Sequence, residues 1–348
     1  MSRSFLPFVF CFLLVVSLSA GAQSIEENMI KGTQLLQSGG YNRALNHFRQ
    51  VVNRDPRHFD AQHHLGLTYL QMGQNQNAIR ELKRATELSP RSVFAWINLS
   101  IAYQNNGDKE DAANALYQAV SHDPQNVKVK MNLATLYTEA GMIDEAISQY
   151  KEIISMESNN TEALMNLAQT LLNEKRGDEA KEYLRKVAES DPQSGTARYQ
   201  LGRLYLEEGK QQNALAEFEL AAQAQPSEPV YHLEVANIYE DKDEKEEAIR
   251  ALRRAMVYSD RRNRDVIQNR INMLEGKEDE MTTPVSQRQM RDLRQELRTE
   301  EKRQQTQVME TTPQIDVMGS FEGLGADRED TAPTFDILEE MRSRGAGE

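Results

Sequence analysis

A 34-residue period constrains this chain more than any other feature it carries. Pro56, Pro90, Pro124, Pro192 and Pro226 fall on one grid, with Ser158 and Asp260 at the two remaining grid points. Leu65, Leu99, Leu133, Leu167 and Leu201 form a second column, continued by Val235. Tyr69, Tyr103, Tyr137, Leu171, Tyr205 and Tyr239 form a third. An alanine recurs in all seven registers, at Ala44, Ala78, Ala112, Ala146, Ala180, Ala214 and Ala248. Gly39, Gly73, Gly107, Gly141 and Gly209 mark a turn within each unit; repeat five departs, with Lys175 on the grid and Gly177 two residues later. A period of this length means a stack of like units rather than two or three separate domains.

Each column has a physical reason. The alanines let a second helix approach the first closely, and Leu65, Tyr69 and Leu82 fill the space around them at helical spacing. The glycines permit a positive φ at a helix end. The prolines stop one helix and set the turn into the next unit. One unit alone cannot bury its apolar face, so stacked neighbours must build a continuous core.

The run Trp96-Ile97-Asn98-Leu99-Ser100-Ile101-Ala102-Tyr103, followed by Gly107, Ala112, Ala119 and Pro124, resembles the tetratricopeptide repeat family. The resemblance extends over residues 25–262 as repeats 25–58, 59–92, 93–126, 127–160, 161–194, 195–228 and 229–262. It implies an all-α, right-handed α-solenoid of helix–turn–helix pairs whose concave inner face holds a peptide or protein. It implies no reaction. A capping helix is expected at 263–275, where Val266, Ile267, Ile271 and Leu274 share a face.

In the geometry of that family, the first helix of each repeat lines the inner face. Its sixth position reads His64, Asn98, Asn132, Asn166, Gln200 and Glu234. An asparagine amide carries both donor and acceptor, so consecutive copies can hold an extended backbone without reading its side chains. This row resembles the asparagine ladder of O-linked N-acetylglucosamine transferases. The neighbouring position carries Met29, His63, Ile97, Met131, Met165, Tyr199 and Leu233, and Ile101 is expected on the same surface with Leu67 and Phe94. An apolar, methionine-containing strip beside amides suits adaptable binding; packing between helices is the competing role for the same residues. The fifth position has no Lys or Arg, which excludes the carboxylate clamp found in some members of the family.

The ends differ from the repeats. Arg3, an apolar run from Phe5 to Leu18 and Ala20-Gly21-Ala22 read as a cleaved signal peptide, residues 1–22, with Gln23 as mature N-terminus. The run is too short for a spanning helix, so no integral membrane segment is expected after cleavage. The single cysteine, Cys11, leaves with the signal. A periplasmic or secreted location follows as an expectation. Seven arginines, Arg250, Arg253, Arg254, Arg261, Arg262, Arg264 and Arg270, crowd the last repeat and cap; they make either a solvated face or a patch for an acidic partner. Residues 276–304 read as a linker and a charged helix. From 305 to 348 ten acidic residues against three basic ones predict a disordered tail. Residues 334–341, with Phe335, Leu338 and Met341, form a candidate docking motif, free to fold back on the groove or the arginine-rich end.

Chemistry is harder to place. A net charge of −13 argues against general nucleic-acid binding. No nucleophile elbow, phosphate loop or zinc-binding His-Glu helix is present. His47, His58, His63 and His64 lie close in sequence around Asp60, but on different elements, so no metal is expected, and no cofactor. The sequence therefore predicts a non-enzymatic, exported adaptor holding an extended segment in its groove. The alternative is a structural subunit of an envelope complex using its convex face and ends.

Overall fold

The computed structural model describes residues 24–277. The expected signal peptide, the charged helix, the acidic tail and its 334–341 motif lie outside the described residues.

Seven helix pairs follow one another on the 34-residue grid. The first pairs are α1 (24–37) with α2 (Tyr41–Arg54), α3 (Phe59–Gln71) with α4 (Asn75–Leu88), and α5 (Val93–Asn106) with α6 (Lys109–His122). Next come α7 (Val127–Glu139) with α8 (Ile143–Met156), and α9 (Thr161–Asn173) with α10 (Gly177–Ser190). The last are α11 (Gly195–Glu207) with α12 (Gln211–Ala224), and α13 (Pro229–Asp241) with α14 (Lys245–Tyr258). From α2 onward, consecutive helices pack on one another, so each repeat touches its neighbours. This is the all-α solenoid that the period predicts.

The columns explain why the helices start, stop and approach as they do. His58, Ser92, Asn126 and Asn160, one repeat apart, each accept the N–H of the residue three positions on, at Ala61, Ala95, Val129 and Ala163. The seven alanines of the recurrent column have zero exposure, which places them at the closest helix contacts. Gly32, Gly66 and Gly202 mark a still closer approach: a methyl on Gly66 would lie 2.6 Å from Leu82 Cγ.

The tyrosine column does more than fill space. Four of its five tyrosines reach back twenty residues to the second helix of the preceding repeat. Arg49 donates to the Tyr69 hydroxyl, Arg185 donates to that of Tyr205, and Tyr239 donates to Glu219. Lys83 sits over the Tyr103 ring at 5.3 Å. These contacts tie one repeat to the next.

Repeat five keeps its turn on the grid. Lys175 itself adopts φ 58°, the region the glycines occupy elsewhere, while Gly177 is the first residue of α10. Arg176 N–H bonds Leu171 O at 2.8 Å, matching Asp108 N–H to Tyr103 O at 2.9 Å in repeat three. A side chain in that conformation costs about 1 kcal/mol. Lys175→Gly is therefore expected to raise stability by about that amount in a urea titration, with Asp243→Gly (φ 57°) gaining less because aspartate tolerates this region. A loss of stability in Lys175→Gly would contradict the assignment.

The cap departs from the grid. The α15 helix spans Arg261–Leu274, starting two residues before the expected 263, because Asp260 caps it by accepting Asn263 N–H at 2.8 Å. It buries Ile267 and Ile271 against the last repeat. It thus closes the core without continuing the repeat register.

Candidate functional site

The first helices of neighbouring repeats meet directly, α3 with α5 and α7 with α9. The seam between them is built from the two positions the sequence singles out. Asn98 Nδ2 on α5 donates to His63 Nε2 on α3 at 2.9 Å. Asn166 Nδ2 on α9 lies 3.9 Å from Met131 Sδ on α7, in the same 35-residue register. Asn98 and Asn166 therefore each reach the position before the ladder in the preceding repeat. For Asn132 that register puts Ile97 at the preceding position, and an isoleucine offers no acceptor. Asn132 is part-exposed, and its side-chain amide hydrogen-bonds to no described residue.

The ten residues expected to line the groove divide accordingly. Ile97, Met131 and Tyr199 are buried, and their side chains pack between helices rather than forming an open apolar wall. Tyr199 contacts the Phe218 and Tyr231 rings, with centroids 5.6 and 5.3 Å apart. Asn98 and Gln200 are buried as well. His64, Ile101, Asn132, Met165 and Asn166 remain part-exposed. The accessible set centres on α7 and α9, with Ile101 on α5 beside it. Phe94, at the start of α5, is 38% exposed. The sequence reading missed the seam bond between positions five and six. Its only signal was His63, a polar residue in an otherwise apolar column.

Burial controls the electrostatics of this face. The His63 ring is pushed down to about 3, first by desolvation and then by His64 alongside it. His64 is also lowered by burial, opposed by the bond from its Nδ1 to Asp60 O. At the other end α15 closes the row. Arg270 donates to Asn237 Oδ1 at 2.6 Å and pairs with Glu240.

The arginine-rich end is largely self-paired. Arg250 meets Glu247, Arg253 meets Glu275, and Arg264 donates to the carbonyls of Met256 and Val257. With Arg270 these are four of the seven arginines held within the fold, three of them by carboxylates. Among the described residues no three His, Cys, Asp or Glu side chains converge to hold a metal ion. His47 is turned to Asn28, and His58 is spent on the α3 cap. No described helix is long and apolar enough to cross a membrane.

Comparison with known proteins agrees with the repeat fold. The tetratricopeptide repeat model matches residues 35–99, 103–149, 138–204 and 171–238, more than half of the chain in all. No curated protein matches it. Among solved structures, the C-terminal part of a TPR repeat-containing protein from Cytophaga hutchinsonii superposes with a TM-score of 0.56 at 15% identity, over 68% of this chain and 98% of that one. The structure of Naa15/Naa10 bound to HypK-THB gives 0.52 at 17% identity, over 72% of this chain and 39% of that one. The crystal structure of MamA protein is 24% identical over 50% of this chain and 96% of its own, with a TM-score of 0.45. The first two show a shared fold.

Proposed function

The chain belongs to the tetratricopeptide repeat family, a fold of protein–protein interaction scaffolds, and from that premise we propose that it is an exported adaptor that holds an extended partner segment on the face formed by α5, α7 and α9. The observation that supports this reading is the side-chain amide of Asn132, uncommitted among the described residues, beside Asn166, whose amide makes a long contact to the Met131 sulfur. Asn132 and Asn166 would pair with a partner's backbone groups. Ile101 and Met165 would contact its apolar side chains. Asn98 would not take part, because its amide is spent on His63. The ladder is thus read as two working rungs instead of three.

The alternative, a fixed subunit docked through its second helices, draws on their exposed apolar side chains, Tyr117 at 50% and Val257 at 62%. Capture from an envelope extract by residues 23–348, compared with capture by the Asn132→Ala/Asn166→Ala variant, separates the two readings. The groove reading expects a segment bound by the first and lost by the second. Equal capture supports the alternative. Export itself is tested by mass spectrometry of the chain from its native cells. A mature N-terminus at Gln23 is expected; a chain retaining residues 1–22 contradicts the cleaved signal.

A further inference from the structure

The first two repeats hold His47, His58, His63 and His64, whereas repeats four and five, residues 127–194, hold no histidine. Two of the four use a ring nitrogen as an acceptor. His58 Nδ1 accepts the Ala61 N–H that starts α3. His63 Nε2 accepts from Asn98 Nδ2 at the α3–α5 seam. The His63 ring is 5% exposed and stacks on Phe59, with centroids 5.6 Å apart and planes 6° from parallel.

A proton on His63 would find no counter-charge. On its own helix the ionisable neighbours are Asp60 and His64; the Asp60 charge acts on the His64 ring, whereas His63 feels burial and His64. From α2, Arg49 is turned to Tyr69 and His47 to Asn28. From α4, Glu81 is engaged by Gln62 and Arg80, and Lys83 lies over Tyr103. Helix α5 carries no charged residue at all. A buried cation without a carboxylate is strongly disfavoured.

We propose that repeats one and two form an acid-releasable end of the solenoid, in which protonation of His63 undoes the α3–α5 seam while repeats four and five, which hold no histidine, stay folded. This goes beyond the proposed function and holds whatever the inner face binds. The direction follows from linkage. The folded ring resists protonation down to about 3, whereas the unfolded ring takes a proton near its ordinary value of 6.5. The seam's stability is therefore complete above 6.5 and falls tenfold per pH unit below it.

The test is hydrogen exchange on the full chain at pH 7.5, 6.5 and 5.0, corrected for intrinsic rates. Protection in α2–α4 is expected to fall about thirtyfold between pH 7.5 and 5.0, while α7–α10 changes little. Trp96, the chain's single tryptophan and a residue of α5, should report the same transition by fluorescence. His63→Met, which copies the residue at 131 and 165, should remove most of the loss. Asn98→Asp, which supplies a carboxylate to the ring, should remove or reverse it. Equal changes in α2–α4 and α7–α10 would overturn the proposal. So would a full loss persisting in both variants.

Discussion

Phe218→Ala is expected to cost about 3–5 kcal/mol of stability. The Phe218 ring has zero exposure, sits against Tyr199, and lies over the bare Cα of Gly202. A methyl on Gly202 would come within 2.5 Å of Phe218 Cε1, so the surroundings cannot collapse far into the cavity left by truncation. The converse change, Gly202→Ala, forces the ring to move and should cost about 1–3 kcal/mol. The two positions are one volume shared between two helices. Repeats five and seven divide it differently, with Ala168 and Leu184 in one and Ala236 and Leu252 in the other. Gly202→Ala combined with Phe218→Leu reproduces that division. It should therefore be more stable than the sum of its single changes allows, by about 1 kcal/mol. Denaturant titration of the four proteins measures this, with hydrogen exchange in α11 and α12 to localise the loss. Simple additivity would show that the glycine and the ring are not coupled.

Such pairings explain which parts of the fold were readable from the sequence. The recurrent alanines, the turn glycines and the prolines each act through one position and a fixed local geometry, so their columns announced the helix pairs. Gly177 misled because glycine is the usual left-handed residue, yet the six-to-one bond to Leu171 O held the turn on Lys175. The tyrosine anchors were hidden because their partners change chemistry from repeat to repeat: Arg49, Lys83, Arg185 and Glu219. The start of α15 was set by the Asp260 cap, which outweighed the periodic register.

The site was legible only to the level of a helix face. Periodicity places Asn98, Asn132 and Asn166 in one row, but whether an amide is free depends on what occupies the preceding position in the neighbouring repeat. That residue is His63 for Asn98, Ile97 for Asn132 and Met131 for Asn166, and the three differ in what they accept. Burial of Ile97, Met131 and Tyr199 follows from the close approach of the first helices, a distance no single sequence states.

These differences make the two kinds of asparagine separable. Asn98→Ala strands a buried imidazole nitrogen and should lower stability by about 1–3 kcal/mol. Asn132→Ala and Asn166→Ala remove part-exposed amides and should leave the melting temperature close to wild type. If they hold a partner's backbone, each should weaken binding by about 1–1.5 kcal/mol, or roughly tenfold. The most direct test is calorimetric titration of the captured partner segment, made as a synthetic peptide, into wild type and into Asn132→Ala/Asn166→Ala. The account predicts an affinity loss of about a hundredfold with the fold intact. An unchanged affinity in the double variant would contradict it.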